Sequence, residues 1–295
     1  MPRILGTGLP SQELRHFTNR EQEQNVLRRL LALPSGQPLP AIVFYGVGGT
    51  GKSWLLRRLR ANLPPEIPSA LLDFDPLLRG TSYHTDSSRA LAELRRQLAS
   101  VECPRFDLAY SWLRFHEGVK DEPLLKDKGL AGIATEAFTE LTSSTAAGLP
   151  LVSFFTKKLA DKVGKQFKGS RLERWLAQKT NQEDFLRLRT LSAQDIYPQL
   201  VDRFLMDLVE NLPEQPGRAC RGVLFLDTAE ALRNGLLGEA QSHEREQWLR
   251  DFHNSGTSPV LLVLAGRDRL SWEDADLGGK KRVGTPRFCH QTNSP

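Results

Sequence analysis

A glycine-rich octapeptide carries the clearest chemical signal in the sequence. Residues 46–53, GVGGTGKS, match the pattern GxxxxGK[ST]. Its four glycines leave the backbone free to wrap around a phosphate group and turn N–H groups towards it. In this pattern the lysine reaches the β- and γ-phosphates of a nucleotide and the Ser hydroxyl binds Mg²⁺. The predicted phosphate-binding residues are Gly46, Gly48, Gly49, Thr50, Gly51, Lys52, Ser53 and Trp54.

A carboxylate is needed opposite this loop, because Mg²⁺ takes oxygen ligands and must be held against the phosphates. Asp227 follows the apolar run 223–226 and therefore ends a predicted buried strand. We expect Asp227 and Ser53 to be the metal ligands. The alternative, an ordinary strand-end aspartate that caps the next segment, is weaker because the phosphate loop already requires such an acid.

Hydrolysis of a nucleotide also needs a group that orients or deprotonates the attacking water. Thr228 stands directly after Asp227, and Glu230 is the nearest acid. Glu230 is either the water-activating base or a first-turn helix residue favoured by the helix dipole. The sequence leaves both interpretations open.

Arg267 follows the last apolar run of the sequence, residues 259–266. Ligands of parallel sheets bind at the carboxyl ends of the strands, so an arginine there can contact the γ-phosphate and report its presence. The alternative is a surface arginine paired with Asp268. We favour the phosphate contact and count Arg267 with Lys52, Asp227 and Glu230 as the candidate catalytic residues.

Apolar runs that alternate with helical patterns surround these residues. This alternation is typical of an α/β fold with a parallel sheet. The predicted strands are 41–45, 69–75, 222–227 and 259–266, and the predicted helices include 54–63, 88–98, 195–212 and 244–252.

Lysine usage marks a segment that departs from this alternation. No arginine occurs between Arg114 and Arg171, yet eight of the twelve lysines lie there. We therefore predict a helical, lysine-rich insertion at about 119–179 within a domain that spans 1–276, followed by a basic, poorly ordered tail at 277–295.

Composition and charge exclude several classes of protein. The chain has 295 residues, 39% of them hydrophobic and 25% charged, which is typical of a globular protein. The net charge is +5, but four basic residues and no acidic one lie in 277–295, so residues 1–276 hold 36 basic and 35 acidic side chains. This near-neutral body disfavours nucleic-acid binding.

Two further features concern location. Three widely separated cysteines predict reduced thiols and a cytoplasmic location, and no stretch is long and apolar enough to span a membrane. A basic amphipathic pattern at 156–168 would allow contact with anionic lipid, but a solvated helix that packs one face on the domain is the commoner case.

The motifs together resemble the bacterial signal-transducing P-loop ATPases, the STAND class that is close to the AAA+ superfamily. The resemblance rests on Phe17–Glu21, the glycine loop, Leu226–Glu230 and Leu264–Arg267. It implies a P-loop NTPase fold, a three-layer αβα sandwich, with ATP or ADP and Mg²⁺ as ligands. It also implies that Arg20 contacts the base or ribose. The family often has a second acid at the position of Thr228, so its replacement implies slow hydrolysis.

The same resemblance implies a sheet of order 5-1-4-3-2 and a role as a nucleotide switch that self-associates or acts on partner proteins. No fifth apolar run follows Gly266, so we expect the order 2-3-4-1 with the final strand lacking. The leading hypothesis is an ATP-binding regulatory domain. The alternatives are a nucleic-acid-associated AAA+ ATPase of the replication-initiator type and a nucleotide-binding scaffold that does not hydrolyse.

Overall fold

The sheet at the centre of the fold has four parallel strands. The computed structural model describes residues 20–75, 82–119, 123–126, 131–132, 134, 183, 187–188, 190–233, 239–254 and 258–268. The order of the strands is β1-β4-β3-β2, which confirms the expected order. The strands are β1 (Ile42–Tyr45), β2 (Ser69–Asp73), β3 (Gly222–Asp227) and β4 (Val260–Gly266).

Burial along the strands follows their position in the sheet. Every residue of β3 and β4 is buried, whereas β2 alternates between buried and partly exposed residues. The two central strands are covered on both faces, which explains why their sequences are apolar throughout. Within the described residues β1 pairs with β4 alone and so lies at an edge.

Helices cover both faces of the sheet. The described helices are α1 (Glu21–Leu31), α2 (Lys52–Ala61), α3 (Ser87–Gln97), α4 (Pro104–His116), α5 (Pro123–Lys126), α6 (Ala193–Ile196), α7 (Gln199–Asn211) and α8 (Glu239–Asn254), with a 3-10 helix at Ala229–Arg233.

Two apolar clusters separate these helices into layers. Helices α1 and α2 pack with Val223 and Phe225 of β3 on one face. Helices α3, α4, α7 and α8 pack with Leu224 and Leu226 on the other. Successive side chains of a strand point to opposite faces, so β3 contributes to both clusters. This arrangement confirms the three-layer αβα fold.

The predicted long helix at 195–212 is wrong as a single element. Proline has no backbone N–H and cannot continue the helical hydrogen-bond ladder. The chain accordingly forms α6 and α7, which are separated at Tyr197 and Pro198. The side chain of Gln199 compensates in part, because its Nε2 donates to the carbonyl oxygen of Asp195 at 2.8 Å.

Other differences concern helix boundaries. Helix α2 begins at Lys52, two residues before the predicted start, because Gly51 precedes it in a left-handed conformation and ends the loop. Apolar periodicity did not predict α4, although Pro104 occupies its first turn, where proline is favoured. In the part of the chain that the structure describes, no helix is long and apolar enough to cross a membrane.

Several predictions fall outside the described residues. The tail at 277–295 and the amphipathic pattern at 156–168 lie there entirely, as does most of the predicted insertion at 119–179. These boundaries stay predictions.

Candidate functional site

The glycine-rich loop joins β1 to α2. Gly49 and Gly51 have φ angles of 81° and 80°, a backbone conformation that L-amino acids with side chains rarely adopt. Gly51 directly precedes Lys52, the first residue of α2. The N-terminus of α2, with its unsatisfied N–H groups and positive dipole end, therefore faces the loop, as an anion site requires.

The Lys52 ammonium lies inside this loop. Its Nζ donates to the carbonyl oxygens of Gly46 at 2.7 Å and Val47 at 2.9 Å. Burial lowers the pKa of Lys52, and the negative charges of Glu230 and Asp227 oppose that shift. Lys52 is thus within electrostatic reach of both candidate acids, although Asp227 is 175 positions away along the chain.

Ser53 and Asp227 meet between α2 and the end of β3. Asp227 is only 3% exposed. Burial raises the pKa of Asp227, the Ser53 hydroxyl opposes the rise by stabilising the charged carboxylate, and the neighbouring charge of Asp73 adds to the rise. A hydroxyl and a carboxylate are hard oxygen donors of the kind that Mg²⁺ takes, so the two residues fit this cation. The bound cation would neutralise charge on the β- and γ-phosphates.

Glu230 lies in the first turn of the 3-10 helix, and its carboxylate is held by the end of β4. Glu230 Oε2 accepts a hydrogen bond from the backbone N–H of Arg267 at 3.0 Å, and Oε1 lies 3.3 Å from Arg267 Nε. A Cβ atom at Gly266 would lie 3.0 Å from Glu230 Oε2, so glycine at 266 permits this close approach. Among the described residues, the ion-pair partner of Arg267 is Glu230 rather than Asp268.

Arg267 also borders the glycine loop. Its carbonyl oxygen accepts a hydrogen bond from Gly46 N at 3.2 Å, and its guanidinium atoms lie 3.6 to 3.7 Å from the position of a Cβ atom on Gly48. The side chain is 70% exposed. Arg267 therefore lies at the rim of the loop with its guanidinium accessible.

The remaining predicted residues also lie at the loop. Arg20 Nη2 donates to the carbonyl oxygen of Thr50 at 2.8 Å, and its Nη1 pairs with Glu23 at 2.7 Å. Trp54 lies in the first turn of α2, where the Arg57 guanidinium is 5.8 Å from its ring centroid. The structure therefore brings all the predicted site residues to one end of the sheet.

One acid at this end was missed by the sequence analysis. Asp73 ends β2 and pairs in register with Asp227 on β3. The Thr228 hydroxyl donates to Asp73 Oδ1 at 2.8 Å. The expected strand order already placed β2 beside β3, but Asp73 lies inside the predicted strand 69–75, and only the structure shows that β2 ends at Asp73 and that this acid meets Thr228.

Comparison with known proteins agrees with this geometry. Residues 16–264 match a protein-family model described as an AAA ATPase domain. The chain belongs to the AAA ATPase domain family. The matched region contains β1, β2, β3 and β4 as far as Leu264, together with the glycine loop, Asp227 and Glu230. No curated protein matches the chain. Membership in the AAA ATPase domain family supports nucleotide binding, and binding of Mg²⁺ with it.

Proposed function

We propose that the chain is an ATP-binding regulatory domain, a nucleotide switch of the STAND class that hydrolyses ATP slowly and acts on partner proteins or on a second copy of itself. The observation that carries the proposal is that Ser53, at the end of the phosphate loop, lies near enough to Asp227 to stabilise its charged form. The end of the phosphate loop and the acid at the end of β3 therefore meet at one place. A loop without this acid would bind phosphate but would lack the second oxygen ligand for Mg²⁺.

The pair of Glu230 and Arg267 supports the switch. The Arg267 guanidinium has one anionic partner within the described residues, and a γ-phosphate at the loop would be a second. ATP supplies that phosphate and ADP does not. Competition between Glu230 and the γ-phosphate for Arg267 would therefore let the 3-10 helix differ between the ATP and ADP forms.

Thr228 favours one alternative, a nucleotide-binding scaffold that does not hydrolyse ATP. It places a hydroxyl, which is a weak base, directly after Asp227. Release of phosphate from Mg-ATP by the purified protein separates the two functions, because a scaffold binds ATP without turnover.

Thermal unfolding with and without Mg-ATP or Mg-ADP tests the nucleotide site. At 100 times its dissociation constant a ligand adds about 2.7 kcal/mol to the free energy of unfolding, a rise in Tm of about 5 °C for this size. We expect the rise in the wild type and in Arg29→Ala, which removes an exposed cation of α1, but not in Lys52→Ala. Equal rises in all three proteins would contradict the assignment of the loop.

A further inference from the structure

Thr228 has a strained backbone that two carboxylates hold in place. Its φ angle is 56°, the one positive value at a non-glycine position among the described residues. A β-branched residue rarely adopts this conformation, because its side chain clashes with its own backbone there. The backbone N–H of Thr228 donates to Asp227 Oδ1 at 2.9 Å, and its hydroxyl donates to Asp73 Oδ1 at 2.8 Å. The strain is thus maintained at the junction of β2 and β3.

The Asp73 carboxylate uses one of its two oxygens in this arrangement. Oδ1 accepts from the Thr228 hydroxyl and from the backbone N–H of Asp75 at 3.0 Å. Within the described residues no hydrogen bond is made to Oδ2. Asp73 is partly exposed, whereas its neighbour in register, Asp227, is buried. Oδ2 is therefore the oxygen that can accept a proton from a further donor.

Two acids flank Asp227 on opposite sides at this end of the sheet. Asp73 lies on the side of β2, and Glu230 lies on the side of β4, where its two oxygens contact Arg267. The carboxylate of Glu230 is engaged by a cation, whereas the Asp73 carboxylate is oriented by a hydroxyl and a backbone N–H. Of the two, Asp73 has the arrangement of a water-orienting group.

We infer that Asp73, oriented by Thr228, positions the attacking water in ATP hydrolysis, an inference that rests on the proposed function. The water oxygen forms a bond to the γ-phosphorus, and the bond from that phosphorus to the β–γ bridging oxygen breaks with its electron pair left on ADP. One proton of the water passes to Asp73 Oδ2 and then to bulk water. Asp73 thereby supplies the carboxylate that is missing at position 228. Thr228 acts through Asp73 and is a positioning residue.

Asp73→Asn is the most informative variant. Its amide oxygen can still accept from Thr228 and Asp75, while its NH₂ group replaces Oδ2 and cannot accept a proton from water. Asp202→Asn is the matched control, because it makes the same chemical change at an exposed position of α7. Thermal unfolding without nucleotide verifies that both variants are folded.

The experiment has two readouts. The first is phosphate release from Mg-ATP, which we expect to fall by about 10² to 10⁴-fold in Asp73→Asn and to be unchanged in Asp202→Asn. The second is the affinity for Mg-ADP with aluminium fluoride, an analogue of the transferring phosphoryl group. We expect Asp73→Asn to lose about 10²-fold or more of this affinity while it binds a non-hydrolysable ATP analogue as the wild type does.

The hydroxyl of Thr228 is tested separately. Thr228→Ser keeps the donor to Asp73, and Thr228→Val removes it with little change in shape. We expect Thr228→Ser to retain turnover and Thr228→Val to lose about tenfold with unchanged affinity for the ATP analogue. Equal turnover in the two variants would overturn the positioning role of Thr228.

The outcomes separate this inference from the proposed function. If the wild type binds no Mg-nucleotide, the proposed function fails and the inference fails with it. If the wild type binds nucleotide but Asp73→Asn keeps full affinity for the aluminium fluoride complex, the inference alone is overturned, whether or not the wild type turns ATP over.

Discussion

Replacement of Glu230 by glutamine removes the ion pair with Arg267 and keeps the hydrogen bond to the Arg267 backbone. The glutamine carbonyl can still accept from the backbone N–H of Arg267, a bond of 3.0 Å in the wild type, but the ion pair at 3.3 Å is lost. Because Arg267 is 70% exposed, solvent screens this pair and its contribution is at most about 1 kcal/mol. We expect Tm to fall by no more than about 2 °C without nucleotide.

The same change should strengthen ATP binding. Once Glu230 no longer attracts Arg267, the guanidinium is available to the γ-phosphate, so about 1 kcal/mol converts to a gain of up to about fivefold in affinity. ADP has no γ-phosphate and should gain less. Titration calorimetry with a non-hydrolysable ATP analogue and with ADP measures the difference, and Glu214→Gln, which neutralises an exposed acid elsewhere, is the control.

Gly266→Ala reaches the same contact without changing a charge. The new Cβ atom would lie 3.0 Å from Glu230 Oε2, so the carboxylate must move away from the Arg267 N–H. We expect the ratio of ATP to ADP affinity to rise in this variant as well. Competition between Glu230 and the γ-phosphate for Arg267 would be refuted if Glu230→Gln weakened ATP binding or changed the affinities for ATP and ADP equally.

Turnover by Glu230→Gln then decides between the two roles that the sequence left open. A general base that loses its carboxylate lowers turnover by about 10² to 10⁴-fold. If Glu230 acts through Arg267 and Asp73 orients the water, turnover should stay within about tenfold of the wild type while Asp73→Asn shows the large loss.

Two predictions concern the packing of α4 against its neighbours. Asp107 pairs with Arg95 through two hydrogen bonds of 2.9 and 3.0 Å. Removal of one partner leaves a buried charge, so Asp107→Ala should lower the free energy of unfolding by about 3–5 kcal/mol in urea denaturation. A loss under about 1 kcal/mol would contradict the pairing. Burial raises the pKa of Asp207 from 3.8 to about 8, so the folded protein binds a proton more tightly than the unfolded chain between these values. The protonated Asp207 side chain therefore stabilises the fold fully below about pH 4, and this contribution is lost as the pH rises to about 8. Asp207→Asn should flatten the dependence of the free energy of unfolding on pH over this range. An unchanged dependence would contradict the raised pKa.

The frame of the site could be predicted because its signals are local. The loop pattern at 46–53 and the apolar run before Asp227 each specify a short element whose conformation depends on few neighbours. Strand order followed from the family resemblance, and the sheet confirms it. Pro198 marked a helix boundary that apolar periodicity alone concealed.

The contacts between elements could not be predicted in this way. The bond from Thr228 to Asp73 spans 155 positions, and the contact of Glu230 with the Arg267 N–H spans 37. Both depend on the conformation that the chain adopts just after each strand, including the positive φ angle at Thr228, which strand order alone does not determine. No periodicity or spacing in the sequence encodes these features.

The central claim is that the glycine loop and Asp227 form one Mg-nucleotide site. The most direct test is titration of ATP with Mg²⁺ and with EDTA into the wild type, Asp227→Asn and Lys52→Ala. The Ser53 hydroxyl interacts with the Asp227 carboxylate, so we predict that Mg²⁺ raises ATP affinity in the wild type and that Asp227→Asn loses most of this gain. We also predict that Lys52→Ala binds ATP weakly in both conditions. The same Mg²⁺ gain in Asp227→Asn as in the wild type would contradict the account.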